Sequence, residues 1–113
     1  MSRTRFLYVR DENRFPVGCI AYQRSSADET EDITQFGYSI YNPKDKFNRH
    51  MARHVAEGRM VKTPRLHVAE IEHAHPNAIL HDICLTLQDE SDIPNKFWDA
   101  LETTRLRLLK DLV

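Results

Sequence analysis

ITQFGYSIYNPKDKFNRHMARHVAEGRM, residues 33–60, changes its period halfway along. In the first part Thr34, Phe36, Tyr38 and Ile40 form an apolar set, and Ile33, Gln35, Gly37, Ser39 and Tyr41 a more polar one. A period of two predicts a strand with one buried face. From Asn42 onward the signals are helical. Asn42 suits an N-cap, Pro43 the first helical position, and Asp45 a carboxylate reaching back in a capping box. Phe47, Met51 and Val55 recur every four residues as a buried stripe, and Gly58 supplies the stop. The expectation is a strand over 33–41 followed by a helix over about 44–57.

Upstream, RFLYVRD (5–11) puts Phe6, Tyr8 and Arg10 on one face and Arg5, Leu7 and Val9 on the other. VGCIAYQR (17–24) is a second apolar run, and the turn residues DENRFP between them predict a hairpin. SSADETED (25–32) reads as an exposed acidic loop. Downstream, TPRLHVAEIEH (63–73) is a fourth strand opened by Pro64. The next helix begins at Pro76 and Asn77, with Ile79, Ile83 and Leu87 on one face and Leu80 and Cys84 beside them. Asp92 suits the cap of a last helix that packs Phe97, Leu101 and Leu108, with Trp98, Thr104 and Lys110 on other faces. The class is α+β: a small antiparallel sheet of about four strands, one helix inserted before the last strand, and two C-terminal helices, in a single domain spanning 1–113.

The 113-residue chain is 41% hydrophobic and 29% charged, a balance that fits one folded globular domain. No apolar run reaches the roughly 20 residues of a transmembrane helix. MSRTRFLYVRDENRF lacks the apolar core and cleavage site of a signal peptide, so an intracellular protein is expected. Cys19 and Cys84 lie among apolar neighbours and read as buried thiols rather than a disulfide or a nucleophile. Net charge is −1 with neutral histidines, which argues against coating of long nucleic acid. The charge is uneven, however. Residues 44–65 hold seven Lys or Arg against Asp45 and Glu57, a local +5. Asp28, Glu29, Glu31 and Asp32 crowd the acidic loop. A local basic surface fits a phosphate-bearing ligand or an acidic partner surface, such as the acidic loop of another copy.

Catalytic signatures are weak. His50 and His54 have the i, i+4 spacing of two zinc ligands, but the zincin glutamate is missing and Arg49 and Arg53 would repel a cation. His67, His73, His75 and His81 with Asp82 resemble the ligands of metal phosphohydrolases, which are larger and helical. No glycine-rich phosphate loop, Gly-x-Ser-x-Gly turn or Cys/His pair occurs. Neither an enzymatic activity nor a metal or other cofactor is expected. Lys46, Arg49, His50 and Arg53 lie off the apolar stripe, and Arg59 follows the stop. Arginine holds phosphate oxygens bidentately and stacks on bases. The last helix adds Arg105, Arg107 and Lys110, with Arg107 and Asp111 at ion-pair spacing. Leu101, Leu106, Leu108, Leu109 and Leu112 occupy more than one of its sides, which points to a second subunit.

VGCIA in an early strand, FGYSIYNPKDKFNRHMARHVAEGRM and the closing pair of helices together resemble the phage-encoded sponges that counter the Thoeris defence system, the first type of Thoeris anti-defence protein. The likeness covers residues 5–62 best and is weaker beyond 73. It implies a non-enzymatic trap in the host cytoplasm: a small α+β domain that assembles into dimers and then hexamers. Such proteins bind cyclic ADP-ribose isomers between protomers without cleaving them, and some relatives hold cyclic di- or trinucleotides. Carried over to this chain, Arg59 would contact phosphate, and Arg105, with Arg107 and Asp111, phosphate and ribose. Asn95 would meet a base edge, and Phe97 or Trp98 would stack on a base. Where the resemblance asks for a second arginine one turn after Arg105, this chain has Leu109. The alternative is a small phage protein that inhibits a host enzyme by direct contact.

Overall fold

The computed structural model describes residues 3–26, 30–41, 46, 48–70 and 75–112. The elements follow the expected order: β1 (Arg5–Arg10), β2 (Pro16–Ser26), β3 (Glu31–Ile40), α1 (Arg49–Lys62), β4 (Arg65–Glu70), α2 (Pro76–Gln88) and α3 (Asn95–Lys110). The fold is α+β, with one antiparallel sheet whose strands lie in sequence order.

Alternation in the strands sends each set of side chains to a different layer. Leu7, Val9, Ile20, Phe36 and Tyr38 meet α2 and α3 in the larger core, with Ile79, Ile83, Leu87, Phe97 and Leu101. The expected α2 stripe is fully borne out: Ile79, Leu80, Ile83, Cys84 and Leu87 are all buried. Phe97 reaches the sheet at Gly18, where a Cβ would come within 2.4 Å of its ring. The Tyr38 and Phe97 rings stack with centroids 5.8 Å apart.

The other face of the sheet was expected to be polar and is instead covered by α1. Gly37 makes the approach possible, because a Cβ there would stand 2.3 Å from the backbone nitrogen of Met60. The polar residues flanking it bond to helix carbonyls. Ser39 Oγ donates to the Ala52 oxygen at 2.9 Å, and Gln35 Nε2 to the Met60 oxygen at 2.7 Å. Cys19, Ala21, Ala56 and Met60 form the small core of this layer, edged by Phe6, Tyr8 and Ala52.

This close contact overturns the expected phase and bounds of α1. The helix buries Ala56 and Met60, with Ala52 partly buried beside them, while Met51 is 54% exposed. It meets Gly37 with the backbone of Ala56, Arg59 and Met60. Asn48 is the cap, its side chain accepting from the Met51 N–H at 3.1 Å. Gly58 is not a stop: the helix runs through it to Lys62. Asn42, Pro43, Lys44, Asp45 and Phe47 lie outside the described residues, as do Asp28, Glu29, Ile71, Glu72 and His73.

The acidic loop is shorter than expected. Asp32 belongs to β3, is buried, and pairs with Arg24 across the sheet at 2.7 Å. Pro94 rather than Asp92 precedes α3, with no side-chain cap bond. Thr104, expected off the Phe97/Leu101/Leu108 face, is buried against the backbone of Arg10, accepting from its N–H at 3.4 Å. No helix among the described residues is long and apolar enough to cross a membrane.

Candidate functional site

α1 carries its cations to the edge strand β1. Arg49 and Arg53 are one turn apart, and both reach over β1 toward the side chains that alternation places on this face, Phe6 and Tyr8. The Arg53 guanidinium lies 5.1 Å from the Phe6 centroid and 5.8 Å from that of Tyr8. Its Nε donates to the Tyr8 hydroxyl at 2.6 Å. Arg49 lies 5.3 Å and Arg10 5.6 Å from the Tyr8 centroid. Three guanidiniums thus share one tyrosine.

Three arginines elsewhere in the fold are neutralised by carboxylates. Arg24 pairs with Asp32, Arg65 with Glu90 and Arg105 with Glu102. Among the described residues, no carboxylate pairs with Arg10, Arg49 or Arg53. Ring faces hold a guanidinium without cancelling its charge, and leave its N–H edge free to bind an anion. Arg10 also donates from Nη1 to the Arg14 carbonyl at 3.0 Å, which fixes its direction. The face is therefore a positioned set of cations suited to phosphate oxygens. Burial pushes the Cys19 thiol beneath it up to about 11, against the opposing pull of Arg53.

The residues singled out for ligand contact lie elsewhere, and several of them have partners within the fold. Arg59 sits inside α1 and donates from Nη1 to the Tyr38 carbonyl at 2.9 Å. That carbonyl lies beyond the last β3–β4 pair, Phe36 with Arg65, so Arg59 satisfies an open sheet edge. Phe97 is 1% exposed and belongs to the core, although it also lines a cavity. The Trp98 indole donates to the Gln88 carbonyl at 3.1 Å, and the Gln88 amide returns a bond to the Trp98 carbonyl at 3.3 Å, clamping α2 to α3. Asn95 is exposed at the first turn of α3, and Asp111 is its exposed C-cap. Arg107 does not pair with Asp111; it lines a shallow hollow with Thr103, Leu106, Leu109 and Lys110.

Arg105 is held by Glu102 at 2.6 Å and lies 3.3 Å from His81 Nε2. The other ring nitrogen of His81, Nδ1, faces Asp82 at 3.5 Å. His67 approaches the other Asp82 oxygen at 3.4 Å. A guanidinium on the imidazole opposes a divalent cation there. His75 is an N-cap, accepting from the Asn77 N–H at Nδ1. Among the described residues, no three of His, Cys, Asp or Glu gather as a metal site.

Sequence reasoning named Arg49 and Arg53 but missed their companions Phe6, Tyr8 and Arg10. The signal was present, since these three alternate on one face of β1. Comparison with protein-family models, with curated proteins and with solved structures finds no match for the chain, so its role rests on the chemistry of this face.

Proposed function

We propose that this protein is a non-catalytic binder that sequesters small phosphate-bearing signals. Cyclic ADP-ribose isomers come first, and cyclic di- and trinucleotides second. The observation that supports it is the arginine trio on Phe6 and Tyr8, charged, positioned and unpaired with carboxylates among the described residues. Stacked guanidiniums suit both parts of such a ligand: the N–H edges hold phosphate, and the planes accept a base. The role of a phage anti-defence sponge in the host cytoplasm follows from the resemblance. So does assembly into a dimer or hexamer, which the exposed Leu106, Leu109 and Leu112 of the terminal helix favour.

Calorimetry against these nucleotides tests the reading. Binding with intact ligand recovered afterwards is expected, and Arg49→Ala or Arg53→Ala should weaken it about tenfold or more. No heat with any of them at micromolar protein would reject it. Arg59→Ala should weaken binding less than either, because its guanidinium serves the Tyr38 carbonyl.

The competing reading, direct inhibition of a host enzyme, is favoured by Leu66 and Val68, exposed on the edge strand β4 at 63% and 54%. One stoichiometric host partner captured without nucleotide, and lost in a Leu66→Lys variant, would support it.

A further inference from the structure

The opposite side of the β1–β2 hairpin holds a cavity of about 430 Å³ that the phosphate-binding reading does not use. It forms where the hairpin loop, the start of β2, the end of β3 and the first turn of α3 meet. Phe15, Pro16, Ile40, Pro94 and Phe97 are among the apolar residues that line it. The volume falls within the range of small-molecule sites.

The cavity is held open by the backbone. Asp11 Oδ1 accepts the N–H groups of Asn13 and Phe15, each at 2.9 Å. The Asp11 N–H donates to the Phe15 carbonyl, also at 2.9 Å. Arg14 between them takes a left-handed conformation, φ 67. Phe15, which closes this tight turn, is 66% exposed. A large exposed phenyl beside a buried one is expensive unless something covers it.

Asp11, Tyr41 and Lys96 are the polar residues of the wall. The Asp11 carboxylate is turned to the hairpin loop, where its Oδ1 accepts two backbone N–H groups. Lys96 is exposed and forms no ion pair among the described residues. The rest of the wall is apolar, edged with rings and prolines, and Lys96 is its one cation. We propose that it binds a small aromatic acid, with the ring against Phe15 and the acidic group at Lys96. The site stands independently of the nucleotide reading.

The test uses 8-anilinonaphthalene-1-sulfonate and its neutral counterpart N-phenyl-1-naphthylamine, titrated by fluorescence into the folded protein. One site per chain is expected for each. Lys96→Gln should weaken the sulfonate about fivefold, the worth of one exposed charge contact, and leave the neutral probe unchanged. Ile40→Trp should block both; Phe15→Ala, on an exposed side chain, should weaken both even if the tryptophan variant misfolds. Competition by 1-naphthoate but not by decanoate is the expected ligand preference. Displacement by decanoate as readily as by naphthoate would overturn the aromatic assignment. Probe binding indifferent to Lys96→Gln and Phe15→Ala would overturn the site.

Discussion

Under α2 and α3 the sheet presents Val9, Ile20 and Phe36 to Ile79, Ile83, Leu87, Phe97 and Leu101; under α1 it presents Cys19, Ala21 and Gly37 to Ala56 and Met60. The first layer is held by volume, with large side chains filling the space between sheet and helices. The second is held by nearness, with helix backbone on strand backbone and two side-chain bonds to helix carbonyls. The two should break in opposite ways, one by removing atoms and the other by adding them.

The largest effect is expected from Phe97→Ala, which empties the centre of the thick layer and should cost about 3–5 kcal/mol in denaturant unfolding. Adding one methyl at Gly37 should come next. The new Cβ meets backbone, which cannot rotate aside. Gly37→Ala should cost about 1–3 kcal/mol, with the loss concentrated in the amide protection of α1. A loss spread evenly over both layers would contradict the division.

A third test uses pH. Burial in the thick layer pushes the Cys84 thiol from 9.0 up to about 12, with Arg105 opposing. A raised thiol pKa means that the unfolded chain releases its proton first. Stability is therefore complete below pH 9 and declines as pH rises from 9 toward 12, by up to about 1.4 kcal/mol per unit for this group. Cys84→Ala should be less stable at pH 7 and show a shallower alkaline decline in urea midpoints. The smallest effect is a gain. A Cβ at Gly58 meets nothing within 4 Å, so Gly58→Ala should raise stability by about 0.5–1 kcal/mol through helix propensity alone.

Those two glycines also mark the limit of what sequence could reveal. Element order and the large core were legible, because α2 and the apolar set of β3 carry strong, bulky periodicity. The phase of α1 was not, because the positions it packs on the sheet are Ala52, Ala56 and Met60, two of which are too small to stand out. Gly58 looks like a helix stop and is a helix interior; Gly37 looks incidental and admits the helix. Gln35 and Ser39 read as solvent-facing, though their partners are carbonyls brought in by that approach. For the candidate site, the basic residues of the helix were visible, but their pairing with Phe6 and Tyr8 depends on α1 crossing toward β1. Arg59 and Arg105 drew attention by charge, position and resemblance, and their hydrogen bonds with Tyr38, Glu102 and His81 exist only in three dimensions.

The two cysteines occupy these two layers, Cys19 beneath α1 and Cys84 among the residues of α2. Each is fully enclosed, so a thiol reagent in solution must wait for its own layer to open. The unmodified chain thus carries two built-in clocks. The labelling rate of Cys19 times the lifting of α1, and that of Cys84 times the parting of the helical pair from the sheet. A ligand that grips Arg49 and Arg53 should slow the first clock while leaving the second running at its own pace.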